Sequence, residues 1–312
     1  MAVYTKLTLD ELAALTAPLR LGRLTEAQGI AAGVENTTYF LRFERQDKHD
    51  LFVLTIAEAL SKSDVDATSQ LLALLGGQGL PVPAPVGRLA VAGKPALLIP
   101  KAEGQHPDLP TIGQCAAAGS FLARLHLATL GAGLRHESHR SLDWVSATGQ
   151  ALLQRPNLPD AALLAEELQH LKSIVSANNL PTGIIHGDLF RDNALFLGDS
   201  LTAVIDFFSA GTGPLLLDVA IATNDWCRAS HGLYAARCKA LTAAYQTVRT
   251  PTAEEKARWS DLTRIGALRF WVSRLAEREL PDSRLPAGRG KNPDEYRDLL
   301  LYHRQHPASW PG

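Results

Sequence analysis

Two hydrophobic periods divide the chain, and the change falls near residue 100. Thr37-Thr38-Tyr39-Phe40-Leu41-Arg42-Phe43 is dense in β-formers, and Leu51-Phe52-Val53-Leu54-Thr55-Ile56 reads as a second, more buried strand beyond the polar turn of residues 46–50. Ahead of them, Thr8-Leu9-Asp10-Glu11 fits a helix capping box. From Ser63 to Leu75 apolar positions recur at helical spacing, and Gly76-Gly77 ends the run. Leu80-Pro81-Val82-Pro83-Ala84-Pro85 cannot be helix interior. Short strands over 86–91 and 95–99 then flank a turn at Ala92-Gly93-Lys94.

Past Pro100 the period becomes helical. Residues 101–107 form a loop, 111–130 and 159–178 are helices by period and propensity, and helices dominate again from Pro214, with breaks at Gly232 and Thr250-Pro251. The Pro/Gly-rich stretch 281–293 leads into a last helix from Pro293. One β-segment, 183–206, interrupts this helical half. The pattern predicts an α+β fold with a β-rich domain over 1–98, a connector over 99–107 and a helical domain over 108–312.

Composition narrows the function classes. The 312 residues carry 31 Lys and Arg against 32 Asp and Glu, so a net charge of −1 gives no overall attraction to nucleic acid or an anionic membrane. Cys115, Cys227 and Cys238 form no C-x-x-C pair, which fits a reducing compartment and three small buried hydrophobes. No apolar stretch approaches the ~18 residues needed to cross a bilayer, and Asp10 and Glu11 interrupt any secretion signal, so a cytoplasmic location is expected.

The chemistry concentrates in the isolated β-segment. It runs Ile185-His186-Gly187-Asp188-Leu189-Phe190-Arg191-Asp192-Asn193, a second apolar run, Gly198-Asp199-Ser200, and a strand ending at Asp206. A two-residue turn at Asp199-Ser200 sets Asn193 opposite Asp206 across a hairpin. An amide oxygen and a carboxylate so placed suit Mg²⁺, which takes one or two protein ligands and completes its shell with water and phosphate oxygens. Asp188 is left to accept a proton from a hydroxyl that attacks phosphorus. Gly29 and Gly33 lie between strands, where a backbone loop can close over phosphates.

His186-Gly187-Asp188 followed by Asn193, with Asp206 eighteen residues after Asp188, resembles the catalytic core of the aminoglycoside phosphotransferase and choline kinase superfamily. The resemblance implies a protein-kinase-like, two-lobed fold with Asp188 as catalytic base and Asn193 and Asp206 as Mg²⁺ ligands. Pro214-Leu215-Leu216-Leu217-Asp218 also matches, and implies that Asp218 buttresses the catalytic loop through its backbone. The stretches 28–37, 53–55, 186–193, 224–227 and 268–275 resemble the homoserine kinase branch. That branch implies ATP as donor, L-homoserine as acceptor, and Gly29, Gly33, Asn36 and Thr55 against the nucleotide. Thr55 stands where protein kinases carry a phosphate-binding lysine. The branch shares the threonine, leaving Lys62, Arg42 or the metal to neutralise the α- and β-phosphates.

A zwitterionic acceptor needs a carboxylate for its ammonium and a guanidinium for its carboxylate, for which Asp225 and Arg269 or Arg274 are candidates. From residue 207 onward there are 15 basic against 11 acidic residues, an unfavourable field for a polycationic aminoglycoside. A kinase for another small hydroxyl compound (aminoglycoside, choline or sugar) and a non-catalytic ATP-binding protein are the alternatives at this point. Oligomeric state is left open.

Blander roles are expected elsewhere. His186 orients the loop, Asp192 is a solvated acid, Phe270 and Trp271 are core, and His136-Glu137-Ser138-His139 is a surface loop one residue short of a zinc-protease motif. His303 and His306, three apart, are expected on a solvated helix face rather than around a metal.

Overall fold

The computed structural model of the chain describes residues 3–30, 36–46, 48–176, 180–280 and 291–312. Its contacts divide the chain into two compact units, one of residues 1–104 with 202–208, the other of 105–201 with 209–312. Gly33, Asn178 and most of the 281–293 stretch lie outside the described residues.

In the first unit, α1 (Leu9–Thr16) starts at a Thr8 capping box in which Thr8 and Glu11 satisfy each other's backbone amides. β1 (Arg23–Ile30), β2 (Thr37–Arg45), β3 (Lys48–Ile56), β4 (Gly87–Val91) and β5 (Lys94–Pro100) form one antiparallel sheet in the order β1-β2-β3-β5-β4. α2 (Lys62–Gly77) lies between β3 and β4 in sequence. Alternation buries Tyr39, Leu41 and Phe43 of β2 and Phe52, Leu54 and Ile56 of β3 on one face, where Leu12 of α1 joins them. Each fully buried side chain of this kind contributes roughly 1.5–3 kcal/mol. β1 escapes the hydrophobic pattern because it is a polar edge strand whose register shifts between Leu24 and Glu26.

The segment 202–208 belongs to this first unit although its neighbours in sequence do not. Val204 N–H donates to Pro81 O at 2.8 Å, and the Thr202 hydroxyl donates to Glu103 O.

The second unit holds α3 (Ile112–Ala132), α4 (Leu142–Leu153), α5 (Ala161–Ser176), β6 (Thr182–Ile185), β7 (Ala194–Leu197), β8 (Ser200–Val204, whose last residues fall in the first unit), β9 (Gly211–Pro214), α6 (Leu215–Trp226), β10 (Arg228–Ala229), β11 (Gly232–Leu233), α7 (Ala235–Val248), α8 (Ala253–Ala257), α9 (Trp259–Glu279) and α10 (Asp294–Gln305). β6 pairs with β9 antiparallel, β7 with β8, and β10 with β11. α6 is apolar nearly all round, and all its residues but Asp225 are buried. α3 meets α7 at Gly119, where an added Cβ would stand 2.0 Å from Leu241 O, so only glycine permits this approach. α4 is a helix that periodicity does not announce. Its Gly149 weakens helix propensity yet packs beneath Leu168 of α5, where a Cβ would come within 2.7 Å of a methyl.

Two local expectations change. The hairpin turn is Gly198-Asp199, with Gly198 at φ +61°, one residue earlier than the sequence suggested. Asn193 precedes β7 in a 3₁₀ turn and Asp206 follows the end of β8, so neither belongs to the ladder and the cross-strand register does not place them. His303 is buried, on the apolar stripe of α10 with Tyr296, Leu299 and Leu300, and hydrogen-bonds through Nε2 to Asn224 Oδ1 at 2.8 Å. His306 is exposed. Cys115, Cys227 and Cys238 are free thiols and buried.

Burial, helped by the field of Arg228, lowers the His303 pKa to about 4. The unfolded chain therefore takes up a proton that the folded chain refuses, and stability falls as pH drops from about 6.5 toward 4, by about 3 kcal/mol in all. Thermal melts across that range should show the loss, and His303→Gln should flatten it; an unchanged slope would remove His303 as its source. Gly119→Ala should lower stability by about 2–4 kcal/mol in denaturant titrations, through overpacking against the α7 backbone.

Candidate active site

β6 delivers the chain to the loop 186–193 with Ile184 and Ile185 buried behind it. Gly187 adopts φ +73°, and a Cβ there would press to 3.0 Å from Ser209 O, which explains the glycine between His186 and Asp188. The Asp218 carboxylate, fully buried in the first turn of α6, accepts from the backbone N–H of His186 at 2.7 Å and of Gly187 at 2.8 Å. It also receives His126 Nε2 from α3 at 3.1 Å. Burial alone would raise the Asp218 pKa, but these donors outweigh it and hold the carboxyl below its ordinary range.

Behind His126 the polar chain continues through buried groups. Arg249 Nη1 donates to the Tyr245 hydroxyl at 3.0 Å, and that hydroxyl lies 2.8 Å from His126 Nδ1. One proton arrangement satisfies all of them: Tyr245 O–H toward Nδ1 and Nε2–H toward Asp218. Arg249 Nη2 in turn donates to both Glu255 oxygens, at 2.9 and 3.1 Å. Nothing in the sequence patterns pointed to this network, although a histidine within the apolar run of α3 was its visible trace.

Within the loop, Asp188 N–H donates to His186 Nδ1 at 3.2 Å. Asn193 Nδ2 donates to Asp188 O at 2.8 Å and to Asp188 Oδ2 at 3.3 Å, so these two side chains meet, and the amide nitrogen is committed to Asp188. The amide oxygen of Asn193 is thereby turned from the carboxylate and is free to serve as a hard oxygen ligand. Among the described residues no three His, Cys, Asp or Glu side chains group as a metal site. Asp206, in the first unit, holds a left-handed φ of +62°, a costly conformation for a residue with a Cβ.

The stretch 224–227 supports the loop from below. Asp225 accepts from Arg191 N at 2.8 Å and Arg191 Nε at 3.0 Å, and Trp226 Nε1 donates to Leu189 O at 3.0 Å. Arg269 and Arg274 are both buried on α9. Arg269 Nε donates to Arg140 O at 3.1 Å, and Arg274 Nη1 donates to Asn292 O and to Glu295 Oε2, each at 2.7 Å. Asp192 is exposed and paired with Lys291 at 3.1 Å. Ser138, in the loop read as surface, is buried and donates to Ser209 O at 2.7 Å. Phe270 and Trp271 are buried.

In the first unit, Gly29 pairs with Tyr39 and lies against Val3, where a Cβ would come to 2.9 Å from a methyl. Asn36 Oδ1 accepts from Glu58 N at 3.4 Å, and Thr55 sits in β3 between Thr38 and Leu97. Lys62 is paired with Asp66 and Arg42 with Glu26, each at 3.0 Å.

The sequence profile of the phosphotransferase enzyme family matches residues 26–254. The chain belongs to this family. As a phosphotransferase-family chain it is 39% identical over 311 residues to a homoserine kinase of Neisseria meningitidis serogroup B, covering 96% of this chain and 99% of that one. It is 40% identical over 289 residues to a homoserine kinase of Pseudomonas aeruginosa, covering 89% and 90%. Among solved structures, an amicoumacin kinase in complex with AMP-PNP, Ca²⁺ and Ami superimposes with a TM-score of 0.67 at 17% identity, over 95% of this chain and 92% of that one. A choline/ethanolamine kinase family protein from Mesorhizobium loti gives 0.66 at 18%, over 95% and 93%. The α+β fold is that of the kinase-like proteins, and no helix of the described residues is long and apolar enough to cross a membrane.

Asp218→Ala strands two backbone donors and His126 in the interior. It should cost about 3–5 kcal/mol, read as a lower melting temperature, with Asp218→Asn costing less because one acceptor oxygen survives. Equal melting temperatures for Asp218→Ala and wild type would contradict the role of this carboxylate.

Proposed function

We propose that this chain transfers the γ-phosphoryl group of ATP to the side-chain hydroxyl of L-homoserine, giving O-phospho-L-homoserine, the step that commits homoserine to threonine synthesis. The observation that carries the reading is full-length identity of 39–40% to homoserine kinases from separate bacteria, spanning the loop 186–193 and its supports. The buried, free cysteines fit a cytoplasmic enzyme.

In this reading Asp188 is the base. Its backbone is tied at both ends, by its own N–H to His186 and by its C=O to Asn193, which fixes the carboxylate to accept the hydroxyl proton as the oxygen attacks phosphorus. Asn193 and Asp206 would hold Mg²⁺, an assignment that the committed amide nitrogen of Asn193 favours. The metal, when bound, neutralises charge on the phosphate oxygens. Gly29, Gly33, Asn36 and Thr55 are assigned to the nucleotide. Thr55 brings no charge, and Lys62 and Arg42 already carry carboxylate partners. Asp225, Arg269 and Arg274 shape the acceptor wall, each through the protein partner it already holds.

An ADP-release panel over homoserine, an aminoglycoside, choline and a sugar tests the assignment. Homoserine should be the productive acceptor, whereas turnover of a polycation without turnover of homoserine would overturn it. Tight ATP binding with no ADP release from any acceptor would favour a non-catalytic role. Asp188→Ala should lower turnover by about 10²- to 10⁴-fold with the melting temperature preserved.

A further inference from the structure

Four guanidinium groups, those of Arg191, Arg228, Arg269 and Arg274, stand around the second half of the loop 186–193 and the aromatic block beside it. Their states differ. Arg191 is held by Asp225 and Asp108 O, Arg269 by Arg140 O, and Arg274 by Asn292 O and Glu295. Arg228, at the start of the β10–β11 hairpin, lies 4.8 Å over the Tyr296 ring and approaches Glu295 only to 3.7 Å through Nη1. Its Nη2 is sealed from solvent and has no hydrogen-bond acceptor in the protein.

A buried charged donor without an acceptor is costly, and folded proteins seldom keep one that nothing uses. The seat of Arg228 is well built. The Tyr296 ring lies within 8° of parallel to Phe190, with centroids 6.1 Å apart, and Phe190 is two residues from Asp188. Phe270 closes the block at 5.2 Å from Tyr296. Burial, together with the negative field of Asp225, pushes the Tyr296 hydroxyl well above its ordinary pKa. A cation–π seat keeps a guanidinium planar and oriented.

We propose that Arg228 reads the α-carboxylate of the acceptor, with Tyr296 as the surface that aims it. This deepens the homoserine kinase reading and rests on it. The carboxylate of homoserine is the one anionic group that distinguishes it from a simple amino alcohol, and the planar fork of an arginine meets a carboxylate through two parallel hydrogen bonds. Specificity then follows from an unsatisfied donor. An acceptor without the carboxylate leaves Nη2 buried and unpaired even when its hydroxyl reaches Asp188.

The test compares L-homoserine with its carboxylate-free analogue 3-aminopropan-1-ol in wild type, Arg228→Met and Arg228→Lys. Wild type should favour homoserine. Arg228→Met should lower kcat/KM for homoserine about 10- to 100-fold, mainly through KM, with the KM for ATP and the rate with 3-aminopropan-1-ol unchanged, and Arg228→Lys should fall between. The analogue doubles as a folding control, because a collapsed site loses both activities. Equal losses on both acceptors, or an unchanged homoserine KM in Arg228→Lys and Arg228→Met, would overturn the assignment. Wild-type protein inactive on homoserine but active on another acceptor would overturn the function itself and this assignment with it, a pattern distinct from either variant result.

Discussion

Everything chemical in the second unit hangs from one buried carboxylate. Asp218 gathers two consecutive backbone amides and an imidazole into a site with no water to compete, and each of those donors would be a liability without it. The two amides belong to His186 and Gly187, so the carboxylate sets the path of the chain immediately before Asp188. The left-handed turn at Gly187 aims both N–H groups inward. The relay through His126, Tyr245 and Arg249 to Glu255 means that the loop is braced by α3, α7 and α8 together. Asp188 is thus positioned by backbone, which side-chain thermal motion disturbs little.

The supports below the loop divide the work. Asp225 fixes the Arg191 backbone and side chain, and Trp226 fixes the Leu189 carbonyl, both from the last turn of α6. The first turn of the same helix supplies Asp218. A single helix, buried along nearly its whole circumference, therefore grips the loop at both ends, and it is held by apolar packing together with the buried amide of Asn224, which bonds Thr263 O and His303.

Much of this was legible in the sequence, for reasons that differ by element. Strands β2 and β3 were legible because β-formers and apolar residues crowd them, and the capping box at Thr8 announces the start of α1. The loop 186–193 stood out because Gly187 between His186 and Asp188 marks a turn after an apolar run, and Asn193 and Asp206 follow at a spacing that resembles a family pattern. β1 was not legible, since an edge strand needs few apolar residues. The hairpin turn expected at Asp199-Ser200 falls one residue earlier, because Gly198 takes the positive φ that a tight turn requires. His303 looked solvated because three-apart histidines on a polar helix give no hint that one of them falls on the buried stripe. The network behind Asp218 was invisible for a deeper reason: His126 comes from α3 while Tyr245 and Arg249 come from α7 and its C-terminal cap, and only tertiary packing brings the histidine to that pair. Asp225, Arg269 and Arg274 were found as residue types, whereas which partner each of them holds is a property of the folded chain alone.

The return of residues 202–208 to the first unit has a consequence for biosynthesis. The amino-terminal sheet is encoded early, yet Val204 and Thr202 bind to Pro81 and Glu103 only after about a hundred intervening residues have been made. A nascent chain leaving the ribosome holds an incomplete first unit throughout the synthesis of α3, α4 and α5, so vectorial folding cannot finish that unit before the second has begun to form. Fragments cut at residue 104 lack the closing segment for the same reason.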